Sequence, residues 1–319
     1  VRLNLSVMSR TIQVQDLPRV NQITAVLARN GFGHLIGNTG LGKFLKPGEE
    51  QPGKSGKAAK KKSFAKRLRQ VLIDLGPTYV KLGQVLSVRP DILPDEVLEE
   101  FQTLQDNVPP MTFEDVRQVV EDEMQRPLEE IFDAFDPVPL GSASIAQVHA
   151  ARLATGEEVA VKLQRRGIEK TIRSDIHILY SLAQLLENSG ITLPGLYGPA
   201  EIVREFDVAI RQELDFVYEL KNAERMARLM ANSNVVIPEV YPQWSSRRLM
   251  VLEKIKGEPL QQAINRVSGE DARALAHQIM DATYAMVFEH GFFHGDPHPG
   301  NLFVTPDNKI AYLDFGVVG

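Results

Sequence analysis

One stretch constrains the fold of this 319-residue chain more than any other: His294-Gly295-Asp296-Pro297-His298-Pro299-Gly300-Asn301-Leu302-Phe303, followed by Asp314-Phe315-Gly316. It sets out an aspartate, an asparagine five residues on, and a second aspartate thirteen after that. Two prolines and a glycine make the first part a rigid loop. A loop carboxylate can accept a hydroxyl proton, and an asparagine–aspartate pair offers the hard oxygen ligands that suit magnesium. Base, ligand, ligand is the order that phosphoryl transfer from a nucleotide requires.

Protein kinases use this order but usually open the loop with His-Arg-Asp; here Gly295 stands in the arginine's place. Upstream, Val159-Ala160-Val161-Lys162 reads as a strand ending in a lysine suited to nucleotide phosphates. Before it, Gly141-Ser142-Ala143-Ser144-Ile145-Ala146-Gln147-Val148 occupies the place of a Gly-x-Gly-x-x-Gly-x-Val phosphate loop. Only the first glycine remains, with Ala143 and Ala146 at the other two positions. Alanine resists positive φ, so this loop is less permissive than a glycine loop. An ordinary hairpin is the plainer reading; Lys162, fourteen residues after Val148, favours a nucleotide loop. His294, Asp296 and His298 also raise a metal triad, but a zinc site with that histidine spacing belongs on a helix, and Asn301 and Asp314 make magnesium–nucleotide the better reading.

Gln212-Glu213-Leu214-Asp215-Phe216-Val217-Tyr218-Glu219 is expected in the middle of a helix spanning 200–231. Asp215 and Glu219 would share a face and repel. Apolar neighbours imply that some of these acids point inward, with Lys162 and Lys81 as candidate partners.

Composition narrows the classes. A net charge of −5 with pI near 5.9 argues against a general nucleic-acid binder. The absence of cysteine excludes disulfides, thiolate metal sites and cysteine nucleophiles. No run of 18 apolar residues occurs, and the N-terminus lacks the apolar run of a secretory signal and an initiator methionine. The end, just after Asp314-Phe315-Gly316, reads as that of a fragment, since a kinase would still need its activation segment.

Residues 45–63 read as a linker. Lysines and arginines with no acid between Gln51 and Ile73 suit a solvated arm or, alternatively, an anionic membrane surface. Helices are expected over 19–27, 64–75, 77–89, 94–105, 112–125, 169–187, 200–231 and 269–290, with Gly76 and Pro77 dividing two of them and Thr112 capping another. Strands are expected over 135–140, 145–153, 158–164, 235–240, 247–254, 302–304 and 310–313.

With Lys81-Leu82-Gly83-Gln84, the 141–148 loop, Lys162, Glu213-x-Asp215, Glu219, the 294–301 loop and Asp314-Phe315-Gly316, the chain resembles the UbiB family of atypical kinase-like proteins from about Phe64 onward. The resemblance implies an α+β, protein-kinase-like two-lobe fold with an N-terminal helical extension and an incomplete C-terminal lobe. The implied divisions are 1–63 as extension and basic linker, 64–131 as the Lys-x-Gly-Gln helices, 132–256 as the first lobe with inserted helices, and 257–319 as the start of the second. It implies an atypical kinase or ATPase using ATP and Mg2+. In it Asp296, Lys162 and Glu219 are catalytic, while Gly141, Ala143, Ser144, Ala146, Val148, Lys162 and Glu253 bind ATP. Asn301 and Asp314 hold magnesium, and Lys81, Gln84, Glu213 and Asp215 form a cover over the site. It further implies support of ubiquinone or other prenylquinone biosynthesis from the cytoplasmic side of a membrane as a peripheral protein. The partners would be nucleotide, anionic lipid or a prenyl-lipid precursor, and quinone-biosynthesis enzymes, with no nucleic acid. The rival is a nucleotide-sensing scaffold without useful chemistry.

Overall fold

The computed structural model describes residues 16–32, 57–104, 108–188 and 198–319, and the side chains of 57–63 lie outside it. The chain groups into two compact units. The first takes residues up to Val108, Ala143–Ile145 and Gly167–Ile210; the second takes Pro109–Ser142, Ala146–Arg166 and Arg211–Gly319.

The first unit is helical. Its helices are α1 (Leu17–Leu27), α2 (Lys57–Leu75), α3 (Pro77–Leu86), α4 (Asp95–Phe101), α7 (Ile168–Asn188) and most of α8 (Pro199–Glu213). Gly76, with φ of 93°, separates α2 from α3, and Pro77 opens α3 where its missing N–H costs nothing. Val20, Val71, Leu75, Tyr79 and Phe101 form its core. Gly83 sits so tightly that a Cβ would lie 2.4 Å from Leu104 Cδ1 and 2.7 Å from Leu72 Cδ1. The glycine of Lys-Leu-Gly-Gln is therefore demanded by packing. The expected linker over 45–63 is corrected at its end, because α2 already starts at Lys57; residues 45–56, with Lys54, lie outside the described residues.

The second unit opens with α5 (Phe113–Met124) and the single turn α6 (Leu128–Ile131). Thr112 caps α5: its Oγ1 accepts from Asp115 N at 3.2 Å and donates to Asp115 Oδ2 at 2.7 Å. A four-stranded antiparallel sheet follows: β1 (Phe132–Ser142), β2 (Ala146–Leu153), β3 (Glu158–Gln164) and β5 (Leu249–Glu253), in that spatial order. Pro137 and Pro139 lie on β1, an edge strand with irregular register, where proline is tolerated. Alternation along β3 sends Val159, Val161 and Leu163 into a core with Val116, Val120 and Ile131. Ala160 and Lys162 take the other face, where Ala160 packs on a cluster holding Met226, Met250, Leu302, Tyr312 and Phe315.

That second cluster is built by α9 (Phe216–Leu229), α11 (Gly269–Tyr284) and a smaller sheet. The sheet orders β4 (Val235–Val236), β8 (Ile310–Tyr312), β7 (Leu302–Val304) and β6 (Glu258–Pro259), followed by the turn α10 (Leu260–Ala263). Several expected boundaries shorten. The 94–105 helix runs only from Asp95 to Phe101 behind a Pro94 cap, the 235–240 strand keeps two residues, and α11 widens into a π-turn over Ala285–Glu289.

Candidate active site

The acidic segment 212–219 is not mid-helix. The helix expected over 200–231 breaks at Leu214 and Asp215, between α8 and α9. The Leu214 carbonyl accepts from Gln164 Nε2 at 2.6 Å, and Phe216 N donates to Arg247 O at 3.1 Å, so the ends of β3 and β5 pull the chain out of helix. Asp215 becomes the N-cap of α9, accepting from Val217 N at 3.1 Å, and lies 3.7 Å from Arg247 Nε. One acid thus finds an arginine far along the chain that no local spacing announces. Glu213 ends α8.

With Asp215 as cap, Glu219 falls on the first turn of α9 and is buried. Lys162 Nζ on β3 donates to both its oxygens, at 2.7 and 2.8 Å, and to Asp314 Oδ2 at 3.2 Å. It also lies 5.4 Å above the Phe216 ring. Burial pushes the Lys162 amine toward neutrality, but the Asp314 and Glu219 charges outweigh that and raise its pKa. Burial lifts Glu219 to about 7 despite the lysine, with the Asp314 charge adding to the rise. Burial also acts upward on Asp314, yet the Lys162 charge and a bond from Gly316 N at 2.9 Å hold it below its ordinary range. One cation therefore faces two carboxylates of different character.

Asn222, one turn beyond Glu219, donates from Nδ2 to Phe315 O at 3.0 Å. The same helix thus holds the lysine and the backbone next to Asp314. Sequence reasoning missed Asn222 and Gln164; only the spacing of Asn222, three after Glu219 on one helix face, could have signalled it.

In the 294–301 loop, Asn301 Nδ2 donates to Asp296 O at 3.1 Å and to Asp296 Oδ2 at 3.2 Å. Its amide nitrogen is thereby committed to an exposed Asp296, and the chemistry left toward a cation is its oxygen. His294 is buried between Tyr312 and Phe315, with ring centroids 5.4 and 5.6 Å away, and burial lowers its pKa. His298 accepts from Gly300 N. Among the described residues no group of three His, Asp or Glu side chains could hold a metal, so the triad is absent there. Residues 293–295 pair with 317–319: Phe293 and Gly319 exchange two 2.9 Å backbone bonds, and Gly295 N donates to Val317 O at 2.9 Å. A Cβ on residue 295 would stand 2.8 Å from Val317 Cγ1 and 3.2 Å from Val317 O, which is why glycine replaces the usual arginine.

Gly141 and Val148 pair across β1 and β2, as do Ser142 and Gln147. Ala143 and Ala146 keep negative φ, and a Cβ on Gly141 would meet nothing within 4 Å. Ser144 and Ala146 are buried. Glu253, at the end of β5, is exposed and its Oε2 accepts from Glu239 N at 3.2 Å. Ala143 and Ser144 group with the first unit, as do Lys81 and Gln84 on α3, where Gln84 Nε2 reaches Leu104 O at 3.4 Å.

Residues 103–319 match the ABC1 atypical kinase-like domain. The chain belongs to that family. Two curated relatives, each named a probable protein kinase UbiB, come from Marinobacter nauticus (41% identical over 266 residues, 81% of this chain and 48% of that protein) and Pseudomonas aeruginosa (40% over 259 residues, 79% and 48%). A third, from Clostridium pasteurianum, is named only as an uncharacterised protein in the hydrogenase 1 5′ region (35% over 305 residues, 94% and 53%). The chain spans about half the length of these relatives. Among solved structures, Rv3197 of Mycobacterium tuberculosis, determined with erythromycin, matches with a TM-score of 0.58 and 29% identity over 82% of this chain and 66% of that one. The ABC1 chain therefore has the kinase-like α+β fold that its loops announce. No helix among its described residues is long and apolar enough to cross a membrane.

Proposed function

We propose that this chain carries a Mg-ATP site of the UbiB type, acting as an atypical kinase or ATPase in support of ubiquinone or another prenylquinone pathway. The observation that carries this reading is Lys162 held between Glu219 and Asp314. Two carboxylates share one lysine, so a divalent cation would find charge to neutralise. Asp314 and the oxygen of Asn301 are hard donors that fit magnesium, and the open space beside Gly141 fits phosphate. Bound magnesium would neutralise phosphate charge.

The chain's own residues do the remaining work. Lys162 orients phosphate oxygens, Glu219 holds the lysine extended, and Asn222 fixes the backbone beside Asp314. Asp296, with its carboxylate oriented by Asn301, can take a hydroxyl proton. This is positioning and electrostatics rather than covalent catalysis. Lys81 and Gln84 serve, on this reading, to restrict which acceptors are used, and anionic or prenyl lipid is the proposed surface or substrate. Arg247 already serves Asp215, so the case for Lys81 rests on the family motif and on the remaining acid, Glu213.

Asp314→Asn should abolish the magnesium-dependent rise in melting temperature that ATP produces; an unchanged rise would sink the assignment. The scaffold reading is favoured by the alanines of the 141–148 loop. It is separated by steady ATP turnover, with and without anionic vesicles and a quinone-precursor mimic: binding without turnover supports the scaffold.

A further inference from the structure

The hairpin that carries the proposed phosphate loop closes on the pair Ser142 and Gln147. Gln147 bonds the short segment 109–111 directly, and Ser142 reaches it through Arg165. Arg165 Nη2, just past β3, donates to Pro109 O at 2.9 Å and to Ser142 Oγ at 2.6 Å. Gln147 is fully buried, and its Oε1 accepts from Met111 N at 2.7 Å. Its Nε2 donates to His149 Nε2 at 2.7 Å, while His149 Nδ1 donates to Asp136 O at 2.8 Å. Asp136 O can only accept, so His149 carries its proton on Nδ1, and Gln147 must turn its nitrogen to the ring and its oxygen to Met111. The orientation of each member follows from the next. Burial favours the neutral ring that this chain of bonds needs. A buried network whose members are all satisfied holds one geometry.

We propose that 109–111 is a strap on the nucleotide loop, and that Arg165 and Gln147 are positioning residues tying it to the two halves of the loop's closing pair. The Lys162 centre itself is held by Glu219, Asp314 and the Phe216 ring. The segment is also where the chain enters the second unit, immediately after Val108. Nucleotide affinity is then set by a segment outside the loop, and displacing the strap weakens binding of nucleoside di- and triphosphates without altering Lys162, Glu219 or Asp314. This inference rests on the Mg-ATP reading, and its test keeps the two apart.

The test compares the parent chain with Arg165→Ala, Gln147→Met and a control, Arg166→Ala, whose guanidinium meets Asp115 on α5 instead of the loop. Amide exchange at Met111 and over 141–148 and affinities for Mg-ATP and Mg-ADP are measured together with melting temperature. Arg165 is half-buried, so its removal leaves the fold in place even if Gln147→Met does not fold. The expected result for Arg165→Ala is exchange at least several-fold faster in both segments and affinity for both nucleotides weakened about three- to tenfold, with an unchanged melting temperature; the control matches the parent. If the parent binds nucleotide and Arg165→Ala changes neither exchange nor affinity, the strap is overturned and the Mg-ATP reading stands. If the parent binds no nucleotide, that reading falls and takes the strap's function with it, even where exchange rises.

Discussion

Each unit holds an ionic cluster around one buried carboxylate, Asp175 in the first and Glu219 in the second, and the two are built in opposite ways. In the first unit Arg19 meets Asp175 at 2.6 and 2.9 Å and donates to Leu75 O at 2.7 Å, while Thr78 Oγ1 donates to Asp175 at 2.6 Å. One cation meets one carboxylate, every bond joins groups that satisfy each other, and α1, α3 and α7 are tied together. In the second unit one lysine serves two carboxylates, and one of them, Glu219, is lifted to about 7. A matched buried pair is architecture: it gains nothing from a further ligand. An unmatched cluster holds surplus negative charge at a fixed place, and a dication relieves it.

The largest expected effect tests the matched pair. Asp175→Ala leaves Arg19 buried without its carboxylate and should cost about 3–5 kcal/mol of unfolding free energy. Replacing both residues with leucine should recover most of that in denaturant titrations. A single mutant that costs under about 1 kcal/mol would break the comparison, because the pair would then be no more than a surface contact.

Next comes Lys162→Met. It leaves two carboxylates facing each other and should weaken Mg-ATP at least tenfold, about 1.4 kcal/mol, while changing stability less than Asp175→Ala does. Equal losses of stability at the two sites would mean that both clusters are structural.

The smallest effect concerns pH. Glu219 has a folded pKa above its unfolded value, so between about 4.5 and 7 the folded chain holds more proton on it. Its contribution is complete below the unfolded pKa and is lost as pH rises toward 7. Asp314 is shifted the other way, and its contribution is lost as pH falls below the ordinary carboxylate range. Glu219→Gln should flatten the decline of melting temperature between pH 4.5 and 7. A parent profile identical to that of Glu219→Gln would remove the asymmetry between the two acids.

Legibility in the sequence followed sequence distance. Pro77, Gly76 and Thr112 act on their immediate neighbours, and the helix starts they announce are in the structure. The alternation of β3 set Lys162 on the face opposite Val161. Where neighbours in space are distant in the chain, the reading ran out. The segment around Leu214 has helical periodicity, yet Gln164, fifty residues away, takes its carbonyl and turns Asp215 into a cap.

By itself the sequence determined the family and its loops: the Asp296, Asn301 and Asp314 spacing, the strand ending at Lys162, and the alanines of the 141–148 loop. These are short-range facts, carried by the periods of helix and strand and by glycine and proline chemistry. Tertiary structure alone decided that Arg247 meets Asp215, that Val317 leaves room only for glycine at 295, and that Arg165 and Gln147 bind one segment to both sides of a hairpin. Each of these rests on one side chain within hydrogen-bond or van der Waals reach of a group tens of residues away, and periodicity along a chain carries no record of which distant backbone a side chain will meet.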